Sequence, residues 1–352
     1  MSTRGSVNAF VNDWAERAKR ISDSLDWENE EAIQDRRARL SKILRIDVAK
    51  PDALVPKLLE RIDRGDHIRE RVEIGTLGGL RMPVYVLIPK RPQGPLPAVL
   101  ALHGHGYGSR ELVGLGPDGS EREEGEGIHK HFALSLARRG FVAIVPELIG
   151  FGDRRLEEDA SLDETPEDLR KSSCYKLSSY LIHLGGTLAG IRTFEAIRAV
   201  DYALSRDEVK PGGVGAMGLS GGAFVGYLAA ALDERLRASV LSGYPNTYGD
   251  SYYFSRQHCL CDYVPGIAEL GDMPDLIGLI APRAVFLEAG RDDPLFPLAG
   301  VRAAETRLRR IYREHGAGES FDTHVFEGKH EISGARSFDW LAERLGGRGQ
   351  EP

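Results

Sequence analysis

The chain has 352 residues, with 53 acidic against 46 basic side chains and a net charge of −7. That balance, with no basic run, argues against a nucleic-acid or anionic-membrane binder, and only three cysteines argue against a disulfide framework. No run of about 18 apolar residues occurs, and no apolar h-region follows Met1, so a cytoplasmic protein is expected.

Residues 8–45 read as helix, because Phe10, Val11, Trp14, Ala18, Ile21 and Leu25 recur at three- and four-residue spacing. Pro51 and Pro56 then interrupt, and a short helical stretch is expected to end near Gly65. Residues 1–65 are therefore expected to form an N-terminal helical extension ahead of one domain over 66–352. Alternating apolar residues over 67–75 and 80–89 predict a hairpin joined through Gly78-Gly79.

Beyond Pro97 the pattern becomes strand, turn, helix, repeated. Short apolar runs at 98–102, 141–145, 214–217, 238–241 and 284–287 suit strands buried on both faces, and 323–326 reads as a last strand. Helices fill the intervals, most clearly at 188–204, with a closing one at 335–345. The fold class expected is α/β, a mostly parallel central sheet flanked by helices. Two excursions, 107–127 and 243–281, break the alternation after strand ends, where open parallel sheets place their ligands.

Residues 218–222 read Gly-Leu-Ser-Gly-Gly between an apolar strand and a helix-forming run. This is the G-x-S-x-G nucleophile elbow in its strand–turn–helix setting, with Ser220 as the candidate nucleophile. A serine hydroxyl needs a histidine to take its proton, and that histidine needs a carboxylate to orient it. The chain order for this fold is serine, acid, histidine. His330 fits as base, in the loop between the last strand and the last helix. For the acid, Asp293 follows the 284–287 strand and stands three residues after Gly290 and four before Pro297; its neighbour Asp292 reads as a solvated turn residue.

Acyl transfer also needs donors for the tetrahedral oxyanion. The backbone N–H of Gly221 is one candidate. The other is that of His105, in the His103-Gly-His-Gly loop after the 98–102 strand. No cofactor and no metal is expected. The His103/His105 and His129/His131 pairs lack further ligands beside them, and Cys259 and Cys261 read as buried packing residues.

Taken together, His103-Gly-His-Gly, Glu147-Leu-Ile-Gly-Phe-Gly-Asp, Gly218-Leu-Ser-Gly-Gly, Ile280-Ala-Pro-Arg, Gly290-Arg-Asp-Asp and Gly328-Lys-His resemble a serine hydrolase of the α/β-hydrolase superfamily. The similarity is to its dienelactone-hydrolase-like and acetyl xylan esterase-like branch, over about residues 66–345. It implies hydrolysis of carboxylic esters through an acyl-enzyme without a cofactor, with the family's triad on Ser220, Asp293 and His330. Dienelactone hydrolases carry cysteine in the elbow, so Ser220 points away from that substrate. Helical extensions such as 1–65 cover the core or join subunits in related proteins, which makes a homo-oligomer an expectation.

The expected partner is a small-molecule ester, of small acyl or acetyl type, on a sugar or aromatic compound. Tyr107, Arg154 and Tyr244 are the candidate substrate contacts, with Tyr248, Tyr252, Tyr253 and Phe254 beside them. The elbow alone does not separate esters from amides, thioesters or carbon–carbon bonds. A non-catalytic binder on the same scaffold is the remaining alternative.

Overall fold

In the computed structural model, which describes residues 6–90, 94–123, 125–161, 168–253 and 255–346, the chain opens with helices α1 (Val7–Asp23) and α2 (Glu30–Ile43). The single helix expected over 8–45 is thus divided. Asn29 accepts a hydrogen bond from the Ala32 N–H and starts α2 afresh. The break lets Trp27 turn inward, buried beneath the Arg36 guanidinium. Arg37 donates to the Leu279 and Ala281 carbonyls, and Ser22 to Asp275, so both helices are tied to the body of the molecule. Val7, Phe10 and Trp14 of α1 stay exposed.

The sheet begins earlier than the sequence suggests. β1 (Lys57–Asp63) occupies the stretch read as helical and pairs antiparallel with β2 (His67–Gly75). Leu58, Leu59 and Ile62 suit a helix by spacing, but the free edge of β2 offers backbone partners to the extended chain, and pairing wins. The boundary drawn at residue 65 therefore falls inside an antiparallel ribbon. β3 (Arg81–Pro89) completes the expected hairpin.

The chain then alternates through β4 (Leu96–Leu102), α3 (Phe132–Arg138), β5 (Val142–Pro146), α4 (Ser173–His183), α5 (Leu188–Leu204), β6 (Val209–Leu219) and α6 (Gly221–Leu232). It continues with β7 (Leu236–Ser242), α7 (Tyr248–Ser251), α8 (Met273–Gly278), β8 (Ala284–Gly290), α9 (Leu298–Glu314), β9 (Phe321–Phe326) and α10 (Ser337–Leu345). The strand order is β1-β2-β3-β5-β4-β6-β7-β8-β9, antiparallel as far as β5 and parallel from there on. Both faces are apolar and covered, as the unbroken apolar strands require. Residues of α2, α5, α6, α8 and α9 pack one face, and those of α3 and α10 the other.

Register sets the site. Leu102 of β4 is level with Gly218 of β6, Leu219 with Ser242 of β7, and Ser242 with Glu288 of β8. Four neighbouring strands end in one row at their carboxyl ends, so the loops that leave them converge.

Candidate active site

β6 enters α6 through Ser220, which holds φ 56° and ψ −125°. A non-glycine residue in that region costs about 1–3 kcal/mol, and its neighbours hold it there. The Ser220 N–H donates to the Ser242 carbonyl at 2.9 Å, and its own carbonyl accepts from the Phe224 N–H at 3.0 Å. The turn tolerates no side chain at Gly218 or Gly222. A Cβ on Gly218 would stand 2.5 Å from the Gly222 carbonyl, and one on Gly222 would stand 2.1 Å from that of Leu102. The Ser220 hydroxyl makes no capping bond to α6, which leaves it free for chemistry.

His330 and Asp293 meet across the sheet's end. His330 Nδ1 is 2.7 Å from Asp293 Oδ2, while Asp293 Oδ1 accepts the N–H groups of Leu295 and Phe296 at 2.7 and 3.2 Å. A carboxylate so fixed makes Nδ1 the donor and leaves Nε2 as the open acceptor. The loops carrying the two residues continue the β8/β9 pairing: Arg291 N–H donates to the Phe326 carbonyl and Asp292 N–H to that of Gly328. Asp292 itself is exposed, and Asp293 is buried. Gly290 allows this approach, since a Cβ there would lie 1.9 Å from the Lys329 carbonyl oxygen. The imidazole also lies against the elbow. A Cβ built on Gly243 would be 3.3 Å from His330 Cε1 and 3.0 Å from Leu219 Cδ1.

The loop after β4 is braced by buried histidines. His103 Nδ1 donates to the Gly104 carbonyl at 2.8 Å, and its Nε2 accepts the Leu148 N–H at 3.1 Å. His129 Nε2 accepts the Gly104 N–H at 2.9 Å, and its Nδ1 donates to Glu111 at 2.8 Å. Burial holds the His129 imidazole below its usual range, which fits this neutral tautomer. Glu147 accepts the N–H and hydroxyl of Ser109 and so holds the next turn. The backbone N–H groups of His105 and Gly221 meet no acceptor among the described residues. Gly104 lies close to the elbow, where a Cβ on it would be 3.0 Å from Ser220 Cβ.

The three expected substrate contacts are otherwise engaged. Both arms of the Arg154 guanidinium bond to Glu195 at 2.6 Å, with the pair buried. Arg154 is a structural ion-pair residue, and Arg110 is likewise committed to Asp153 at 3.0 Å. Tyr244 is 2% exposed, stacked on Phe224 and packed at a tilt against Phe296, with its hydroxyl on that of Tyr252. Its ring is committed to this aromatic packing. Tyr107 is half-buried, and its hydroxyl donates to the Leu115 carbonyl while accepting from Arg122 at 2.5 Å. Tyr248 is also buried, and Phe254 lies outside the described residues.

Arg154→Ala leaves Glu195 charged and unpaired in the core, so chemical denaturation should register a loss of about 3–5 kcal/mol. A loss under about 1 kcal/mol would contradict the assignment, since that is the range of an exposed pair.

Two features escaped the sequence reading. Glu288, inside the apolar β8, accepts the Ser242 hydroxyl, the Ser333 and Gly334 N–H groups and the Ser337 hydroxyl, tying β7 and β8 to the loop behind His330. Its signal was an acid in an otherwise apolar strand. The second is the cysteines. Cys259 and Cys261 are buried as expected, yet they are joined by Cys174 and His105 in one cluster.

The chain is similar to known proteins in sequence and in overall fold. A family model described as the Abhydrolase family covers residues 1–224, running through the elbow. YtaP of Bacillus subtilis (strain 168), a protein designated a hydrolase, is 26% identical over 303 residues, covering 82% of this chain and 90% of YtaP. Among solved structures, BF1801 of Bacteroides fragilis NCTC 9343, designated an acetyl xylan esterase, superposes with a TM-score of 0.75 at 17% identity, over 92% of this chain and 84% of that one. Methylesterase BT1017 does so with a TM-score of 0.70 at 20% identity, over 95% and 69%. A family model spanning well over half the sequence, on a sheet of this topology, establishes that the chain belongs to the Abhydrolase family and has the α/β-hydrolase fold.

Proposed function

We propose that the protein is a serine esterase that cleaves small carboxylic esters through an acyl-enzyme on Ser220. The observation that carries this reading is the His330–Asp293 bond of 2.7 Å beside a serine held at φ 56°. In this reading Ser220 Oγ attacks the ester carbonyl carbon as its proton passes to His330 Nε2. Asp293 keeps the imidazole in the Nδ1–H tautomer and stabilises the imidazolium that forms. The N–H groups of His105 and Gly221 receive the oxyanion, Gly221 at the open N-terminus of α6. Collapse of the tetrahedral adduct breaks the carbon–oxygen bond, and His330 returns its proton to the leaving alcohol. Water, activated by the same imidazole, then releases the acid and frees Ser220.

Acetyl and methyl esters, named for the two structural relatives, are the first substrates to try. The test is release of p-nitrophenol from its acetate and butyrate, followed by a panel of acetylated sugars and carbohydrate methyl esters. The expected result is saturable turnover with preference for the shorter acyl chain. No turnover of any ester would contradict the reading.

A further inference from the structure

All three cysteines of the chain come together, although Cys174 is 85 positions from the Cys259/Cys261 pair. Cys174 lies in the first turn of α4, Cys259 precedes and Cys261 lies within a 3-10 turn (Leu260–Asp262) in the 243–281 excursion, and His105 follows β4 in the candidate oxyanion loop. One ligand atom from each falls within 4.8 Å of every other. Three of the six separations are 3.6 Å for Cys174 Sγ to Cys259 Sγ, 3.7 Å for Cys174 Sγ to His105 Nε2, and 3.4 Å for Cys261 Sγ to His105 Nε2. A tetrahedral zinc ion with Zn–S near 2.3 Å and Zn–N near 2.05 Å requires edges of about 3.8 Å between sulfurs and about 3.6 Å between sulfur and nitrogen. A disulfide would need sulfurs about 2.05 Å apart, and hydrophobic packing gives no reason for an imidazole nitrogen to face three sulfurs.

We infer that His105 Nε2 and the sulfurs of Cys174, Cys259 and Cys261 form a binding site for one zinc ion. Four protein ligands fill the tetrahedron and leave no open position, so the ion is structural. On binding, three thiols lose their protons to solvent, and no electron is transferred. The ion and three thiolates carry a net charge of −1. The buried Arg192 guanidinium offsets it, with Nη2 at 3.3 Å from Cys174 Sγ and a further bond from the same group to the Ile149 carbonyl. Cys261 Sγ also contacts Asp262 Oδ1 at 3.4 Å, a bond of the thiol form that metal ligation replaces. His258, adjacent to Cys259, takes no part; it bonds to the Ser251 carbonyl and stacks on Tyr252.

The site also bears on the proposed esterase chemistry, and this part rests on that reading. Ligation at Nε2 places the imidazole proton on Nδ1, which lies 3.5 Å from where a Cβ on Gly221 would stand. The ion thereby ties the oxyanion loop to α4 and the excursion, with His105 as a positioning residue through its side chain.

The deciding experiment uses the full-length wild-type protein, reduced and stripped with a chelator, then titrated with Zn²⁺ and with Co²⁺ as an absorbing probe. The expected result is one ion per chain, with the intense visible absorption of tetrahedral thiolate-bound cobalt. Ser220→Ala should bind the ion equally, which separates this site from the fate of the esterase reading. Cys174→Ser and Cys261→Ser should lose the cobalt spectrum; because either can misfold, the wild-type stoichiometry decides. Reduced, folded protein with three titratable thiols that takes up neither ion overturns the site. If the protein turns over esters, stripping the metal should lower kcat about 10- to 100-fold and Zn²⁺ should restore it. An unchanged kcat overturns the positioning role.

Discussion

Ser220→Ala is expected to lower kcat for p-nitrophenyl acetate by about 10⁴- to 10⁶-fold, with KM little changed. Alanine keeps a Cβ at φ 56°, so the elbow retains its strain and its backbone bonds to Ser242 and Phe224. Only the attacking oxygen is lost. The residual rate then comes from binding and from the two backbone donors, which do not need the serine. A second comparison strengthens the test. If Ser220 and His330 act as one unit, adding His330→Ala to Ser220→Ala should cost almost nothing more. Multiplying losses in the double variant would show the two side chains working separately.

Asp293→Asn should cost about 10⁴-fold in kcat, and the geometry gives the reason. The Leu295 and Phe296 N–H groups both donate to Oδ1, so an asparagine must set its carbonyl oxygen there. Its NH₂ then faces His330 Nδ1. That nitrogen becomes an acceptor, and the ring proton moves to Nε2, the atom that must receive the serine proton. The variant should fold with near wild-type stability, because the turn's two bonds survive. Asp292→Asn is the matched control: that side chain is exposed, and its rate should equal the wild type's. Equal losses at both positions would contradict the assignment of Asp293.

Local signals were legible in the sequence where chemistry and backbone geometry coincide. Gly218, Gly221 and Gly222 around a serine announced the elbow, and unbroken apolar runs announced the parallel strands. His330 and Asp293 could be placed because each follows a strand end, and register then brings strand ends together. Features made by tertiary contact were not legible. β1 forms because β2 has a free edge, which its own leucines do not encode. Arg154 and Tyr244 read as surface recognition residues, yet Glu195, 41 positions away, claims the first, and Phe224 and Phe296 enclose the second. The cysteine–histidine cluster was invisible for the same reason. Its ligands come from three separate segments, with only the Cys-x-Cys pair close in sequence.

The most direct measurement is covalent labelling of the active protein with a fluorophosphonate, which forms a stable adduct with an activated serine oxygen. Peptide mass mapping should find one equivalent on Ser220, with ester hydrolysis falling in step with labelling and no adduct on Ser220→Ala. Hydrolytically active protein that stays unlabelled at Ser220, or loses activity through an adduct elsewhere, would contradict Ser220 as the nucleophile.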